Sequence, residues 1–313
     1  MMKKGIDLFI QIFAFLFFGL ALWLVYNEIR KIGWHHLLDL ISSTPFWVLS
    51  TALAFTLCDY IAFSGYDFLA LKYIGKKLPK EKVVEAAMIS FSVTNTTGHA
   101  YIAGGSLRYM LYSKLGLTEL NVLKMIAFES LTYLLGMACV FDLSLILSGI
   151  FHLTPGTTDI RWFYMGAVVV SLLVILYWIF VILPRRKINF KNIEILAPSP
   201  KITLLQMLVG GLDIIAASLV FYTLLRFHMD VNIIHVFTIF TLAQLIGIST
   251  QVPGGLGVFE GAFLYLFVHT PAEKGGILAA LITFRILYYF VPLGLTGLFF
   301  TGTQIKKLIK KGS

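Results

Sequence analysis

Apolar residues run almost unbroken through residues 6–26, 45–71, 122–151, 162–183, 202–225 and 276–301. Each run is long enough to cross about 30 Å of hydrocarbon at about 1.5 Å per helical residue. The pattern therefore predicts six firm transmembrane helices. Two further apolar regions, 83–111 and 234–268, are broken by glycine, proline and polar residues. Each is either a re-entrant pair of half-helices or two additional spans. Irregular backbone at membrane depth is tolerated where it is buried in protein or lines a cavity, so these breaks are where a polar chamber is expected. The expected fold is all-α: a polytopic helical membrane protein forming a single integral membrane domain over residues 1–313.

Composition narrows the alternatives. With 58% hydrophobic and 13% charged residues, the chain falls far below the roughly one quarter of charged residues typical of soluble domains. Helix-length runs also argue against an outer-membrane barrel, whose strands read as alternating segments of about ten residues. The apolar run after Lys3 and Lys4 is too long for a signal peptide and is followed by no small-residue cleavage site, so it reads as a retained first span.

The net charge of +9 changes the picture only through where the cations lie. Lys72, Lys76, Lys77, Lys80 and Lys82 follow the second span, Arg185, Arg186, Lys187, Lys191 and Lys201 follow the fourth, and Lys306, Lys307, Lys310 and Lys311 form the tail. The opposite loops carry only Arg30 with Lys31, then Arg161, Arg226 and Lys274. The positive-inside rule then puts both termini in the cytoplasm of a bacterial inner membrane, and the charge requires no nucleic-acid partner. If both broken regions are re-entrant, the first enters from the cytoplasm and the second from outside, the inverted arrangement of transporters whose half-helices meet near the midplane. The stretch 184–201 reads as a basic loop. Cys58 and Cys139 lack metal-type spacing and read as reduced packing residues, and the histidines His35, His36, His99, His228 and His235 match no metal pattern. No metal or cofactor is expected.

Candidate chemistry lies in charges embedded in apolar sequence: Asp67, Arg108, Asp213, Glu260 and Arg285. A charge at membrane depth costs roughly 2.5–3.5 kcal/mol even on the lenient insertion scale, so it is normally paired or faces a cavity. In PGGLGVFEG, Gly254, Gly255 and Gly257 free backbone amides, and a helix restarting near Leu256 would aim its N-terminus at the break, where anions such as phosphate bind. Glu260 would lie in its first turn, either at a binding site or as the cap of a buried turn. Arg108 follows the glycines of GGSLRY and is suited either to bidentate phosphate binding or to snorkelling into the headgroups. Arg285 lies deeper, with Glu260 and Asp213 as candidate partners. Asp67 lies near the Lys72 end of its span. Asp59, Glu129 and Asp142 are also embedded but no glycine break accompanies them, which ranks them lower.

SGYDFLAL, GGSLRYMLYSKLGL, PGGLGVFEG and FRILYYFVP occur in this order. In combination they resemble the amino-terminal membrane domain of the bacterial multiple peptide resistance factor family, the lysylphosphatidylglycerol synthase and flippase proteins. The resemblance implies a domain that moves aminoacylated phosphatidylglycerol to the outer leaflet and so confers resistance to cationic antimicrobial peptides. It also implies that the soluble synthase is missing from this chain. Matched residue by residue, it carries over Asp67, Arg108, Asp213, Glu260 and Arg285. The family can carry Glu at the Asp213 position and Asp at the Glu260 position, which keeps the sign of any ion pair while changing its reach.

The expected function is thus a phospholipid translocase in which Arg108 or Arg285 and half-helix amides hold a headgroup phosphate, while Asp67, Asp213 and Glu260 meet a headgroup amine. Its partners would be membrane phospholipids, with a separate synthase or a second copy of the chain as protein partners. The rival from another class is a non-transporting subunit that docks a separately encoded lipid synthase or glycosyltransferase. A lipid-modifying enzyme is the weakest alternative, because no nucleophile and base are recognisably paired.

Overall fold

A computed structural model of the chain describes residues 42–97, 101–151, 160–183, 187–190, 193–250, 258–267 and 271–298, together with His35 and Asp39. The elements in chain order are α1 (Phe46–Tyr73), α2 (Lys80–Thr97), α3 (Tyr101–Ser113), α4 (Glu119–Ile150), α5 (Ile160–Ile182), β1 (Lys187–Phe190), β2 (Ile193–Leu196), α6 (Pro200–His228), α7 (Ile233–Thr250), α8 (Val258–Phe267) and α9 (Pro271–Phe284). The α9 helix continues through a π-helical turn, Arg285–Phe290, and then as α-helix to residue 298. Five of these helices are long and apolar enough to cross a membrane: α1, α4, α5, α6 and α9 with its continuation. They correspond to five of the six expected spans, and the sixth, residues 6–26, lies outside the described residues.

Both broken regions are pairs of helices. The α2 and α3 helices pack against each other, as do α7 and α8. At about 1.5 Å per residue, the 13 residues of α3 and 10 of α8 reach about 20 Å and 15 Å, short of the hydrocarbon thickness of about 30 Å. Their partners α2 and α7, of 18 residues each, reach about 27 Å, so each region joins a longer helix to a short one.

Local sequence explains where the long helices begin and end. Thr118 and Ser199 cap α4 and α6 by accepting hydrogen bonds from Asn121 N and Ile202 N, both at 3.3 Å. At the end of α1, Gly75 adopts φ 70°, a left-handed conformation open to glycine, and Lys76 N donates to Leu71 O at 2.9 Å. The 184–201 stretch is more than the basic loop expected from its charge: KINF and IEIL pair as an antiparallel two-stranded hairpin with Lys187 opposite Leu196. Short alternation of apolar and polar residues favours strand pairing. The Tyr73 hydroxyl donates to Leu196 O at 2.6 Å, tying the hairpin to the end of α1.

The α6 helix is the hub, in contact with α1, α4, α5, α7 and α9. Helices in lipid gain little from burying apolar surface against one another, so close backbone approach and interhelical hydrogen bonds do most of the holding. Here Gly136 of α4 and Gly210 of α6 face each other so closely that a Cβ on either would overlap the other helix's backbone. One turn away, Gln206 Nε2 donates to Thr132 Oγ1 at 2.9 Å. Between α6, α7, α8 and α9, an aromatic core of Phe221, Phe240, Phe259, Phe263 and Phe284 fixes the second half of the bundle.

The outer surface is apolar. Met165, Val168, Val169, Leu172, Leu173 and Leu176 of α5 are all exposed, a patch no soluble monomer would leave open. The protein is therefore a multi-pass membrane protein. Cys58 also faces outward, away from the packing position expected of it, and Cys139 is half-buried; both are free thiols.

The α4–α6 contact gives a direct test. Gly136→Leu should lower stability in detergent by about 3 kcal/mol through overpacking, seen as an earlier thermal unfolding midpoint. Gly211→Ala, one position along α6 with open space around its Cβ position, should leave the midpoint unchanged.

Candidate functional site

The buried face of α1 carries residues at helical i, i+4, i+7 and i+8 spacing: Asp59, Phe63, Tyr66 and Asp67. Asp59 and Asp67 are fully buried, and eight residues of helix separate them by about 12 Å. Each carboxyl gathers its own set of partners, forming two polar clusters along one stripe.

The first cluster centres on Arg108. Its Nη2 donates to Asp67 Oδ1 at 2.6 Å, and Nη1 lies 2.6 Å from Glu129 Oε2. All three side chains are at most 6% exposed. Tyr112, one turn beyond Arg108 on α3, donates to Asp67 Oδ2. The guanidinium also lies over the Phe91 ring at 4.7 Å, and Phe91 in turn stacks on Phe63 at 4.2 Å. Arg108 is thus not a snorkelling anchor but the centre of a buried ion cluster joining α1, α3 and α4. An opposite charge within reach offsets the loss of hydration of each ion, and the planar guanidinium can serve two carboxylates and a ring face at once. The Glu129 contact lacks hydrogen-bond alignment, and the buried Arg108 Nε has no acceptor.

Beside this cluster is a cavity of about 120 Å³. Arg108, Glu129, Asn95 and Tyr66 supply polar groups to its wall, and Phe63, Phe91 and Ile126 supply apolar ones. Gly105 belongs to the wall as well, where a Cβ would come within 3.3 Å of Ile126. Leu134, another wall residue, is exposed on α4, so one edge of the cavity lies at the bundle surface.

The second cluster forms around Asp59 and Asp213. Their carboxyls lie within hydrogen-bonding range of each other. Tyr288 donates to Asp59 Oδ2 and Tyr66 to Asp213 Oδ2, both at 2.5 Å. The Tyr288 contact depends on the π-helical turn, which widens the helix where it faces α1; such turns recur at functional positions.

Of the residues singled out from sequence, Asp67 and Arg108 are brought into contact, and Asp213 joins them through Tyr66, which both donates to Asp213 and borders the cavity. Arg285 begins the π-helical turn with its guanidinium 5.9 Å from the Tyr289 ring centre. Gly254, Gly255 and Gly257 lie outside the described residues, as does His99. Glu260 falls in α8, and its side chain lies outside what is described. Glu129 and Asp59, ranked lower for want of a glycine break, are central to the two clusters. The signal that could have found them is burial of charge alone, together with tyrosines at matching helical spacing. Asp142 instead accepts from Ser171 of α5 at 2.7 Å and joins neither cluster. Among the described residues, no group of three or more His, Cys, Asp or Glu side chains could hold a metal ion.

The family model for the lysylphosphatidylglycerol synthase TM region matches residues 11–295. The chain belongs to this family. Among relatives, the uncharacterized protein slr0712 of Synechocystis sp. is 30% identical over 88% of this chain and 86% of its own length. The inner membrane protein YbhN of Escherichia coli is 27% identical over 90% of this chain and 88% of its own. A phosphatidylglycerol lysyltransferase of Staphylococcus haemolyticus is 23% identical over 90% of this chain, which spans only 32% of that enzyme. Membership of the synthase TM family therefore covers the membrane region, and the lysyltransferase relative extends well beyond it.

The ion cluster predicts an asymmetry between mutants. Arg108→Met leaves Asp67 and Glu129 buried without a cation and should cost about 3–5 kcal/mol of stability. Adding Asp67→Asn and Glu129→Gln to Arg108→Met removes both charges, and most of that loss should be regained in detergent unfolding curves. A triple variant no more stable than the single one would show that the cluster is not held by charge compensation.

Proposed function

We propose that this protein is a phospholipid translocase of the bacterial inner membrane, with both termini cytoplasmic. Its cargo would be a phospholipid whose headgroup presents both phosphate and ammonium, aminoacylated phosphatidylglycerol being the member of that class to which the family points. The observation that carries the reading is the cavity at Arg108, which is lined by polar and apolar groups and has the exposed Leu134 at its edge. A headgroup entering sideways would leave its acyl chains in the bilayer. The cavity itself suits a headgroup and not a whole lipid.

The chemistry asked of the site is binding alone. Arg108 Nε, buried and without an acceptor, has a hydrogen bond to offer a phosphate oxygen, and a charge-assisted bond of this kind contributes about 1.5–3 kcal/mol. Glu129, whose Oε1 also lacks a partner, offers acceptance to an ammonium. A site presenting both signs lowers the cost of drawing a dipolar headgroup out of water, which is the principal barrier to leaflet exchange. The sequence expectation that Gly254, Gly255, Gly257, Glu260 and Arg285 also meet the headgroup completes the reading.

Leaflet exchange of a headgroup-labelled phospholipid in liposomes containing the purified chain tests this. The wild type should exchange lipid faster than protein-free liposomes. Arg108→Lys keeps the charge but loses the Nε–H and the forked geometry, and it should slow exchange at least about tenfold, the equivalent of one lost charge-assisted hydrogen bond. Arg285→Ala and Glu260→Gln should also slow it. Wild-type exchange no faster than the protein-free control would sink the reading.

A further inference from the structure

The acids of the Arg108 cluster engage a buried cation, whereas Asp59 and Asp213 are paired with each other. Both carboxyls are at most 1% exposed, and Asp59 stands at the middle of α1 and Asp213 at the middle of α6. Each is about 20 Å of helix from either end, so the pair lies near the bilayer midplane. Among the described residues the buried cation is Arg108, and Asp67 and Glu129 already engage it. Asp59 Oδ1 finds no donor, although the Asp213 carboxyl lies within hydrogen-bonding range. Ionised carboxylates are acceptors only. A hydrogen bond between two of them therefore requires a proton on one, and two bare negative charges in contact inside hydrocarbon would be prohibitively unfavourable.

We propose that Asp59 and Asp213 form a proton-binding dyad at the centre of the bundle and that protons taken up and released there are exchanged during lipid movement. The second half of this statement rests on the translocase reading; the first does not. In the described arrangement one proton is shared, the bond running from the hydroxyl of one carboxyl to an oxygen of the other. Uptake of a second proton from water makes the pair neutral, and its release restores the singly charged pair.

The groups facing the dyad are suited to this. Tyr60 and Tyr66 come from α1, Tyr133 from α4, and Tyr288 from the π-helical turn. They are weak acids that can donate or relay a proton without carrying charge at neutral pH. The cation on that turn, Arg285, is half-buried with its guanidinium near the Tyr289 ring. Tyr66 gives the connection to the cargo site, since its hydroxyl donates to Asp213 while its side chain borders the cavity beside Arg108. A headgroup that turned Tyr66 away would strip Asp213 of its donor and favour a second proton on the pair.

Infrared difference spectroscopy of the full chain in lipid nanodiscs, stepped from acid to alkaline buffer, reads the dyad directly. The expected result is a protonated-carboxyl band in the wild type at neutral pH that disappears in Asp59→Asn and in Asp213→Asn. Tyr288→Phe removes one donor but keeps both acids, and it should shift the band without abolishing it, which guards against a variant that merely misfolds. An identical band in wild type and Asp59→Asn would overturn the dyad. Coupling is read in liposomes with a transmembrane gradient of about one pH unit, worth about tenfold in the distribution of a cargo exchanged one-for-one with protons. Wild-type labelled lipid should accumulate on one side by up to that factor, and Asp59→Asn should abolish the bias. Exchange with no bias in the wild type overturns coupling while leaving translocation intact. A dyad band without any lipid exchange overturns translocation while leaving the proton site intact.

Discussion

An ion in hydrocarbon must carry its counter-ion with it, and the first half of this bundle is organised by that requirement. Arg108 sits on a half-helix too short to cross the membrane alone, yet it is fully enclosed because Asp67 of α1 and Glu129 of α4 hold it from two sides. The contacts bind three helices that share little apolar incentive to associate in lipid. They also explain why the α2–α3 pair can sit inside the bundle: the guanidinium, the Phe91 and Phe63 rings and the Tyr112 hydroxyl replace the water that a charged half-helix would otherwise need. An unfilled space in this region lies against the same arginine.

The rest of the bundle keeps that cluster in register. The α6 helix reaches α4 through two glycines whose backbones almost touch and reaches α1 along its full buried stripe, where Gly65 meets Val209. A larger residue at Gly136 or Gly210 would push α4 outward and draw Glu129 away from Arg108. Helix packing and electrostatics are therefore one problem here, because small residues set the distance at which the ion pair closes.

Much of this was legible in the sequence. Apolar runs identified the long helices, and each of the two broken regions contains a pair of helices. Embedded charge picked out Asp67, Arg108 and Asp213, all of which the folded chain buries. What the sequence obscured was pairing. Arg108 is engaged by an acid 41 positions earlier and another on α4, and no local spacing announces such contacts. Requiring a glycine break beside each acid misdirected the ranking of Glu129 and Asp59, since the break belongs to the helix that receives the charge and not to the helix that supplies it. Tyr66, Tyr112 and Tyr288 were hidden for a different reason: in a chain with 14 tyrosines, a hydroxyl serving a buried carboxylate looks like any other aromatic position. The hairpin at 187–196 was hidden by its own charge, because basic residues in a short loop read first as topology.

The two clusters along α1 differ in a way that bears on how such a bundle could do work. The Arg108 cluster mixes both signs and is held by fixed contacts, so it suits a stationary binding surface. The Asp59 and Asp213 pair has one sign and depends on a mobile particle, a proton, to be stable where it stands. Tyr66 touches both, and a single rotation of its side chain is felt at the cavity and at the dyad together. Coupling between two sites requires a shared element whose alternative states each site biases differently. A tyrosine that must choose between donating to a carboxylate and giving way to an occupant of the cavity meets that requirement over one turn of one helix, without any rearrangement of the glycine-locked α4–α6 frame.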